Sequence, residues 1–415
     1  MSDRSDRDAP RSARRASIGL VLTTVALDAL GFGLVIPIVP SLVMKLEHLS
    51  AAQTSLWMGG LLAAFSVMQF LCAPLLGGLS DKYGRRPVLL VALAGMALNY
   101  LLLVWAPSMT WLFVGRIISG ATAASYSTAT AYIADVTPPE QRAQRFGLVG
   151  AMFGLGFVVG PALGGLLGSY GLRLPFLLAA ILAGINFVFA ALLLPESLKA
   201  ASRRPLSWAT SNPLGSLRVL GADADYRRLA VAWCCTWFAL GVLQSAFVLA
   251  NDLRLGFDEL QNGLSLTVMG IGSALVQGLL VRRIVPAFGE RRAALIGFSL
   301  TAGAYLAFAF AGSVTVLLLA IVLQSLGAMN GPAIQSLLSV KAGPDEQGQL
   351  QGALASVQGL TAIVAPLAGS WAFSAFADPA AAIYFPGAPF LLGTLVCLIA
   401  VGAIAAIRQP APQPA

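Results

Sequence analysis

The chain has 415 residues, of which 57% are hydrophobic and only 11% are charged, and its mean hydropathy is +0.80. A soluble domain has about 25% charged residues because its surface faces water, so this composition excludes a soluble globular protein and predicts an integral membrane protein. The formal net charge of +8 does not indicate a nucleic-acid partner, because most basic residues lie in short clusters between apolar runs, a pattern that orients membrane helices.

Twelve apolar runs along the chain are long enough to be transmembrane helices, which we call predicted helices 1 to 12. A helix needs about 20 residues to cross the hydrocarbon core, whereas the strands of a membrane β-barrel would alternate over segments of about 10 residues. The sequence therefore predicts an all-α membrane protein. In chain order, the predicted spans lie near 18–42, 54–78, 88–106, 110–134, 146–168, 174–194, 228–250, 262–286, 293–311, 314–339, 349–375 and 384–407.

The distribution of Lys and Arg orients these helices. If the N-terminal segment is cytoplasmic, 22 of the 26 Lys and Arg residues fall in segments on that side. Lys45, Arg173 and Arg254 fall on the opposite side, and Arg116 lies within predicted helix 4. Because cytoplasmic loops are enriched in basic residues, we predict a multi-pass protein of the cell inner (plasma) membrane with both termini cytoplasmic. Residues 1–16 are polar and Arg-rich, and no small-residue cleavage site follows them, so no signal peptide is expected.

The two halves of the chain resemble each other at an offset of 205 residues. Proline and glycine recur at that offset in corresponding parts of each half, which predicts an internal duplication. Two six-helix repeats are the layout of secondary transporters that alternate access to a site near the midplane. The matching pairs are Pro161 and Pro366, Gly164 and Gly369, Gly147 and Gly352, Pro139 and Pro344, and Gly84 and Gly289. The predicted segments are a cytoplasmic tail at 1–16, a six-helix bundle at 17–194, a cytoplasmic connecting loop at 195–227, a second bundle at 228–408 and a cytoplasmic tail at 409–415.

The loop between predicted helices 2 and 3 reads GGLSDKYGRRP over residues 77–87. Its glycines allow a tight turn, and Asp81 can form a charge lock with the basic residues at the cytoplasmic face. The loop resembles the signature loop of the major facilitator superfamily, which implies the major facilitator fold of two pseudo-symmetric six-helix bundles. The resemblance further implies that Asp81 faces the start of predicted helix 11, that the motif's arginine pairs with Asp135, and that this lock breaks as the protein opens toward the cytoplasm. The predicted gate residues are Gly77, Asp81, Gly84, Arg85, Arg86 and Asp135.

Predicted helix 5 contains the run GFVVGPALGG over residues 156–165. Its proline removes a backbone hydrogen bond and kinks the helix, and its glycines offer a smooth groove to a neighbouring helix. The run resembles the antiporter motif of drug exporters in the same superfamily, which implies export rather than uptake. The motif residues are Gly156, Gly160, Pro161, Gly164 and Gly165.

Predicted helix 1 carries an acid well inside the hydrocarbon core. Asp28 lies about ten residues into this helix, or about 15 Å at roughly 1.5 Å per residue. Arg116 lies about six residues into predicted helix 4 from the outer face, at a depth close enough for the two to pair. Because ionisable groups inside a membrane are costly, each is a functional candidate. We predict that Asp28 and Arg116 couple transport to the binding and release of protons, and a static structural ion pair is the alternative.

The stretch RIISG at 116–120 resembles the helix 4 motif of the superfamily, which implies a part in proton transfer. Three further stretches, LDALGFGL at 27–34, MQFLCAP at 68–74 and QGQLQG at 347–352, resemble the tetracycline exporters of the superfamily, and the resemblance covers nearly the whole chain. It implies tetracycline-type efflux in exchange for protons. The chain departs from those exporters at Asn99, Thr301 and Ser273, where they have an acid, an acid and a histidine.

Polar residues within the predicted helices are candidates for the wall of a substrate cavity, because such groups must find partners or water inside a membrane. The candidates are Gln69, Asn99, Gln244, Gln277, Thr301 and Gln335. No cofactor and no metal site are expected, since the four cysteines lie in apolar runs and lack metal-ligand spacing.

The sequence therefore predicts a proton-coupled secondary transporter that exports an amphiphilic, drug-like small molecule by alternating access. Its expected partners are this substrate, protons and the lipid bilayer, with no nucleic acid, and a monomer is expected. A facilitator or symporter of another metabolite is an alternative, as is a non-transporting membrane sensor with the loop at 195–227 as its partner site. The absence of a nucleophile–base set in the sequence argues against an enzyme.

Overall fold

The structure is a computed structural model, and it describes residues 11–203, 220–221, 223–341 and 347–407. Residues 1–10 of the predicted N-terminal tail, the whole predicted C-terminal tail and most of the predicted connecting loop lie outside these residues. Within the described residues every regular element is helical, which confirms the predicted all-α class.

The helices divide evenly between the two halves of the chain. The first half contains α1 (Arg11–Val35), α2 (Val39–Glu47), α3 (Ala51–Tyr83), α4 (Arg85–Trp105), α5 (Met109–Ala121), α6 (Ser125–Val136), α7 (Pro139–Tyr170) and α8 (Leu174–Leu193). The second half contains α9 (Ala224–Leu255), α10 (Glu259–Leu275), α11 (Val281–Phe288), α12 (Glu290–Ala309), α13 (Val314–Gly327), α14 (Asn330–Lys341), α15 (Gln347–Ala377) and α16 (Ala388–Ala405).

Eleven helical segments in the described part of the chain are long and apolar enough to cross a membrane. Of the predicted spans, 110–134 is the one without such a segment, and it consists of two short helices, α5 and α6, separated at residues 122–124. The hydroxyl of Thr122 donates to the carbonyl oxygen of Ile118 at 2.8 Å, a local bond that competes with continued helix. Eleven of the twelve predicted spans are thus matched by such a segment, and the predicted single helix at 110–134 is instead two helices.

Contacts between the helices define two compact units. The first unit contains the described residues of Met1–Val39 and Leu71–Ser211, and the second contains those of Pro40–Phe70 and Asn212–Ala415. The unit boundary at residue 211 falls within the predicted connecting loop. The first part of α3 belongs to the second unit, where the hydroxyl of Ser55 donates to the carbonyl oxygen of Ser370 in α15 at 3.1 Å.

Each unit contains the same turn before a corresponding helix. Gly84 precedes α4 with a φ of 114°, and Gly289 precedes α12 with a φ of 77°, in the region that glycine tolerates and other residues rarely adopt. Two residues later, the Arg86 guanidinium donates to the carbonyl oxygen of Ala191 at 2.6 Å, near the end of α8. The guanidinium of Arg291 binds the last turn of α16 in the same way. These repeated contacts support an internal duplication.

Two of the basic residues on the predicted outer side bind the ends of helices. Arg173 donates to the carbonyl oxygens of Val104 at 2.8 Å and Ala106 at 3.0 Å, at the end of α4. Arg254 donates to the carbonyl oxygen of Phe308 at 2.9 Å, near the end of α12. The last carbonyls of a helix lack partners within it and attract cations. These arginines therefore have a structural role that explains their departure from the charge asymmetry.

Candidate functional site

The glycines of the predicted antiporter motif pack α7 directly on α1. A Cβ at Gly160 would lie 2.6 Å from the Cα of Gly33, and one at Gly156 would lie 2.8 Å from the backbone nitrogen of Leu30. A Cβ at Gly164 would overlap the carbonyl oxygen of Leu34. The obstacles are backbone atoms, which cannot move as side chains can. The spacing of four residues thus gives one glycine face that holds the two helices at close distance.

Pro161 and Gly165 follow these glycines on α7 and are both buried. Pro161 lies inside α7, and its ring approaches α1, since a Cβ at Gly33 would lie 2.9 Å from the proline Cδ. The motif therefore acts through packing in the first unit.

Replacing Gly156 with Ala should destabilise the protein, because the added methyl group meets the backbone of α1. Overpacking of this kind costs about 1–3 kcal/mol. Gly150→Ala is the matched control, since it lies on the same helix and a Cβ there meets nothing within 4 Å. Thermal unfolding of both variants in the same detergent checks this expectation. Equal melting temperatures for the two variants would contradict it.

The predicted gate motif forms a charge cluster at the junction of α3 and α4. The Arg85 guanidinium donates to Asp81 at 2.6 Å and to Asp135 at 3.0 Å. It also donates to the hydroxyl of Ser80 at 3.1 Å. Only 12% of the Arg85 side chain is exposed, so solvent screens the cluster less than it would a surface pair. The arginine that joins the two acids is Arg85.

A further acid, Glu196, belongs to this cluster and was missed by the sequence reasoning. Its carboxylate accepts the backbone N–H groups of Arg85 at 2.8 Å and Arg86 at 3.2 Å. It thereby caps the start of α4, where a negative charge is favoured. A Cβ at Gly84 would overlap this carboxylate, so both the turn and the cap require glycine. The hydroxyl of Ser197 donates to Asp135 at 2.9 Å, which joins the end of α8 to the same cluster.

Gly77 differs from the other motif glycines, because a Cβ there would meet nothing within 4 Å. Packing in this structure does not explain why that position is glycine.

The second unit has an ion pair between α14 and the start of α9. The Lys341 ammonium pairs with Asp223 and lies 4.9 Å from the centroid of the Tyr226 ring. Asp223 also caps α9 by accepting the N–H of Tyr226 at 2.7 Å. The hydrogen bond from Lys341 lowers the pKa of Asp223 below its usual value. Both side chains are substantially exposed, so solvent weakens this pair.

Asp28 points away from the packed face of α1. It lies two residues from both Ala26 and Leu30, which contact α7, and at about 100° per residue this places it on the opposite side of the helix. Its carboxylate hydrogen-bonds the side chain of Ser125, the first residue of α6. Among the described residues, its second oxygen, Oδ2, is buried and has no hydrogen-bond partner.

The break between α5 and α6 provides the partner of Asp28. A single helix in place of α5 and α6 would have no N-terminus beside Asp28. Because α6 begins at Ser125, the carboxylate lies beside the positive end of a helix dipole, which favours its charged form. The Ser125 hydroxyl supplies a hydrogen bond in addition.

Arg116 lies in the same region but does not bind Asp28 directly. It is buried, with 8% of its surface exposed, and within the described parts of the chain no ion pair joins it to Asp28. Tyr100 of α4 interacts electrostatically with both charges. Its hydroxyl also faces α1, since a Cβ at Gly31 would lie 2.7 Å from it. The structure therefore adds Tyr100 to the predicted pair.

Two of the predicted cavity residues are buried between helices. Thr301 donates to the carbonyl oxygen of Gly297 at 2.9 Å and accepts a hydrogen bond from Asn330 at 3.3 Å. Asn99 lies against Gly115, since a Cβ added to Gly115 would be 2.8 Å from the Oδ1 of Asn99. Both side chains contact neighbouring helices closely.

The predicted glutamines lie in more open positions. Gln69 is half-buried, whereas Gln244, Gln277 and Gln335 are exposed. Gln277 lies in a π-helical turn, Val276–Leu280, between α10 and α11. Such turns occur frequently at functional sites, which supports Gln277 as a candidate.

Two compact helical units, a charge cluster around Arg85 and a buried acid fit a secondary transporter. The sequence profile of the Major Facilitator Superfamily matches the chain in two overlapping parts, residues 21–287 and 229–415. The chain belongs to the Major Facilitator Superfamily. The predicted fold class and the prediction of a transporter rather than an enzyme are confirmed.

Relatives place the chain among the drug exporters of this superfamily. It is 37% identical over 385 residues to the class C tetracycline resistance protein of Escherichia coli, covering 93% of this chain and 95% of that protein. It is 30% identical over 389 residues to multidrug resistance protein 2 of Bacillus subtilis, covering 92% and 93%. The resemblance to the tetracycline exporters is confirmed, and these relatives support the prediction of a drug exporter of this superfamily.

Solved structures agree with this assignment. The human organic anion transporter MFSD10 (TETRAN) is 27% identical, with a TM-score of 0.69, and the alignment covers 96% of this chain and 100% of that one. The chain is a multi-pass membrane protein that transports small molecules.

Proposed function

We propose that Asp28 carries the proton that this transporter exchanges for its substrate. The observation that carries the proposal is the buried Oδ2 of Asp28, for which the described residues provide no partner. A carboxylate oxygen buried without a partner is costly, and the cost disappears when a proton or a cationic group binds to it. Proton and substrate therefore compete for the same acid.

Three neighbours set the charge state of Asp28. Ser125 and the N-terminus of α6 favour the carboxylate, while burial favours the neutral acid. Tyr100 lies in the electrostatic field of both Asp28 and Arg116. A small movement of α6 relative to α1 changes this balance, so alternating access takes up a proton in one state and releases it in the other. In this proposal the positive charge of Arg116 compensates the negative charge of Asp28, and Tyr100 interacts with both side chains.

The cluster around Arg85 acts as the cytoplasmic gate. It ties α3 and α4 to Asp135 at the end of α6 and to the segment after α8. Charge-assisted hydrogen bonds are strong but depend on geometry, so the cluster breaks as a unit when these helices separate. In this proposal the cluster faces the cytoplasm together with both termini, and the protein acts as a monomer in the inner membrane.

The substrate is a drug-like amphiphile of the tetracycline type, which enters between the helices near the predicted glutamines. Two relatives by name confer resistance to tetracycline or to several drugs. Asn99 and Thr301 replace acids of the tetracycline exporters, and both are buried between helices. The helices of this chain therefore carry fewer carboxylates at these positions, and we expect less dependence on divalent metal ions.

Everted membrane vesicles that contain the full chain test this function. With an interior-acid pH gradient, the vesicles should accumulate tetracycline, and a protonophore should abolish the accumulation. Omitting Mg²⁺ should have little effect. Accumulation that persists with the protonophore would contradict proton-coupled export, as would the absence of transport for every compound in a drug panel.

A further inference from the structure

The second unit differs from the first at the end that corresponds to the cluster around Arg85. At the offset of 205 residues, Asp81 aligns with Pro286 and Asp135 aligns with Val340. Both acids of the first unit's cluster are thus replaced by apolar residues. An arginine at this end of the second unit would not meet the two carboxylates that Arg85 binds in the first.

Two arginines nevertheless take the place of two glycines in this region. Gly77 and Gly78 of the first unit align with Arg282 and Arg283 in α11. Both arginine side chains are exposed, and among the described residues no ion pair joins either of them to an acid. Their positive charge is therefore available to an anion from outside the chain.

The helix that carries these arginines is amphipathic. Its apolar residues recur at helical spacing and form one stripe, while the two arginines lie outside that stripe. The apolar residues are Val281, Ile284, Val285 and Phe288. Every residue of α11 is at least partly exposed. Such a helix, with a basic face and an apolar face, suits the boundary between lipid headgroups and hydrocarbon.

The length of the segment places the arginines at that boundary. Together, α10, the π-helical turn and α11 form one helical segment of 30 residues, Glu259–Phe288. At roughly 1.5 Å per residue this segment is about 45 Å long, whereas the hydrocarbon core is about 30 Å thick. The last turns of the segment therefore extend past the hydrocarbon and reach the headgroups.

Exposed leucines continue from the arginines toward the hydrocarbon. Leu275 and Leu279 precede Arg283 at intervals of four residues, which places them along one side of the segment. Leu275 is 55% exposed and Leu279 is 62% exposed. A ligand with both a negative headgroup and an acyl chain matches this arrangement, whereas a free anion would leave the leucines without a contact.

We propose that Arg282 and Arg283 bind the phosphate of an anionic phospholipid, whose acyl chain lies against Leu279 and Leu275. The site goes beyond the proposed function and does not depend on Asp28. Basic residues next to a membrane helix attract anionic headgroups electrostatically. The bound lipid holds this end of the second unit at the membrane surface, on the side predicted to be cytoplasmic.

Native mass spectrometry of the full chain in detergent tests the site by titration with phosphatidylglycerol. Phosphatidylcholine with the same acyl chains is the neutral reference, and the wild type should bind it more weakly. The double variant Arg282→Gln and Arg283→Gln should bind phosphatidylglycerol about tenfold more weakly than the wild type, because both positive charges are lost. Replacing the same two residues with Lys should retain most of the binding, since the charges remain.

The matched control is the double variant Arg227→Gln and Arg228→Gln, which removes two adjacent positive charges from the same unit. These arginines have partners in the chain, because Arg228 pairs with Asp225 at 2.8 Å and Arg227 donates to the carbonyl oxygen of Gly221 at 3.2 Å. The control should therefore bind phosphatidylglycerol as the wild type does.

Three results would overturn the assignment. Unchanged phosphatidylglycerol binding after loss of Arg282 and Arg283 would show that the lipid binds elsewhere. Equal weakening in the control would show that net charge rather than this site governs binding. Displacement of the lipid by inorganic phosphate would show a site for free anions rather than for lipid. Proton exchange at Asp28 is measured separately, so these results leave that proposal unaffected.

Discussion

Replacing Asp28 with Asn should reduce uphill substrate accumulation in everted vesicles to the level of protein-free vesicles. Asn has nearly the same size as Asp but cannot release a proton, so it imitates one protonation state permanently. The Asp28 carboxylate lies at the start of α6 beside Ser125. Without a titratable group there, a pH gradient provides no free energy to the transport cycle.

The same variant should still exchange labelled for unlabelled substrate across vesicles without a gradient. Exchange needs substrate binding and alternating access but no net proton movement, so it shows that the variant is folded. Ser125→Ala provides the matched control. It removes the hydrogen bond to Asp28 but keeps the acid, and it should therefore accumulate substrate at a reduced rate. Gradient-driven accumulation by Asp28→Asn at the wild-type level would refute the role of Asp28.

Replacing Arg85 with Gln should have the second largest effect. It removes the cation shared by Asp81 and Asp135 and leaves two acids near Glu196, which caps α4. Removing one partner from a buried ion pair costs about 3–5 kcal/mol, and the partial exposure of Asp81 reduces that cost here to about 2–3 kcal/mol. The cluster would then no longer close the cytoplasmic side, so transport should fall to near background.

Lys82→Gln is the control for this prediction, because it removes the same charge from the same loop. Lys82 is exposed, and its ammonium lies 4.9 Å from the ring centroid of Tyr83. Melting temperature and transport rate should be close to wild type in Lys82→Gln, and both should fall in Arg85→Gln. If the two variants transport at the same rate, net charge in the loop matters rather than the cluster.

The apolar runs predicted most of the architecture because a bilayer imposes a length on each helix. The break at 122–124 was not predictable in this way, since the small residues there continue the apolar run without Pro or a charge. Counting residues along predicted helix 1 predicted that Asp28 lies inside the hydrocarbon core. The contact between Asp28 and Ser125 could not be predicted in this way, because it depends on where α6 begins.

The sequence predicted a direct pair between Asp28 and Arg116 because the two residues are predicted at similar depths in the membrane. Depth does not determine which side of a helix a residue occupies. Tyr100 interacts with both in the structure. The gate motif predicted its own contacts more fully, because Arg85 binds both Asp81 and Asp135 in one cluster. Glu196 was missed since it comes from a segment about 110 residues later in the chain.

Proton release on substrate binding is the most direct measurement of the exchange at Asp28. Purified full-length chain in weakly buffered detergent solution should acidify the medium when tetracycline is added, because the ligand displaces a proton from the acid. Asp28→Asn should bind tetracycline more weakly and without acidification. Equal acidification by the wild type and by Asp28→Asn would show that another group exchanges the proton.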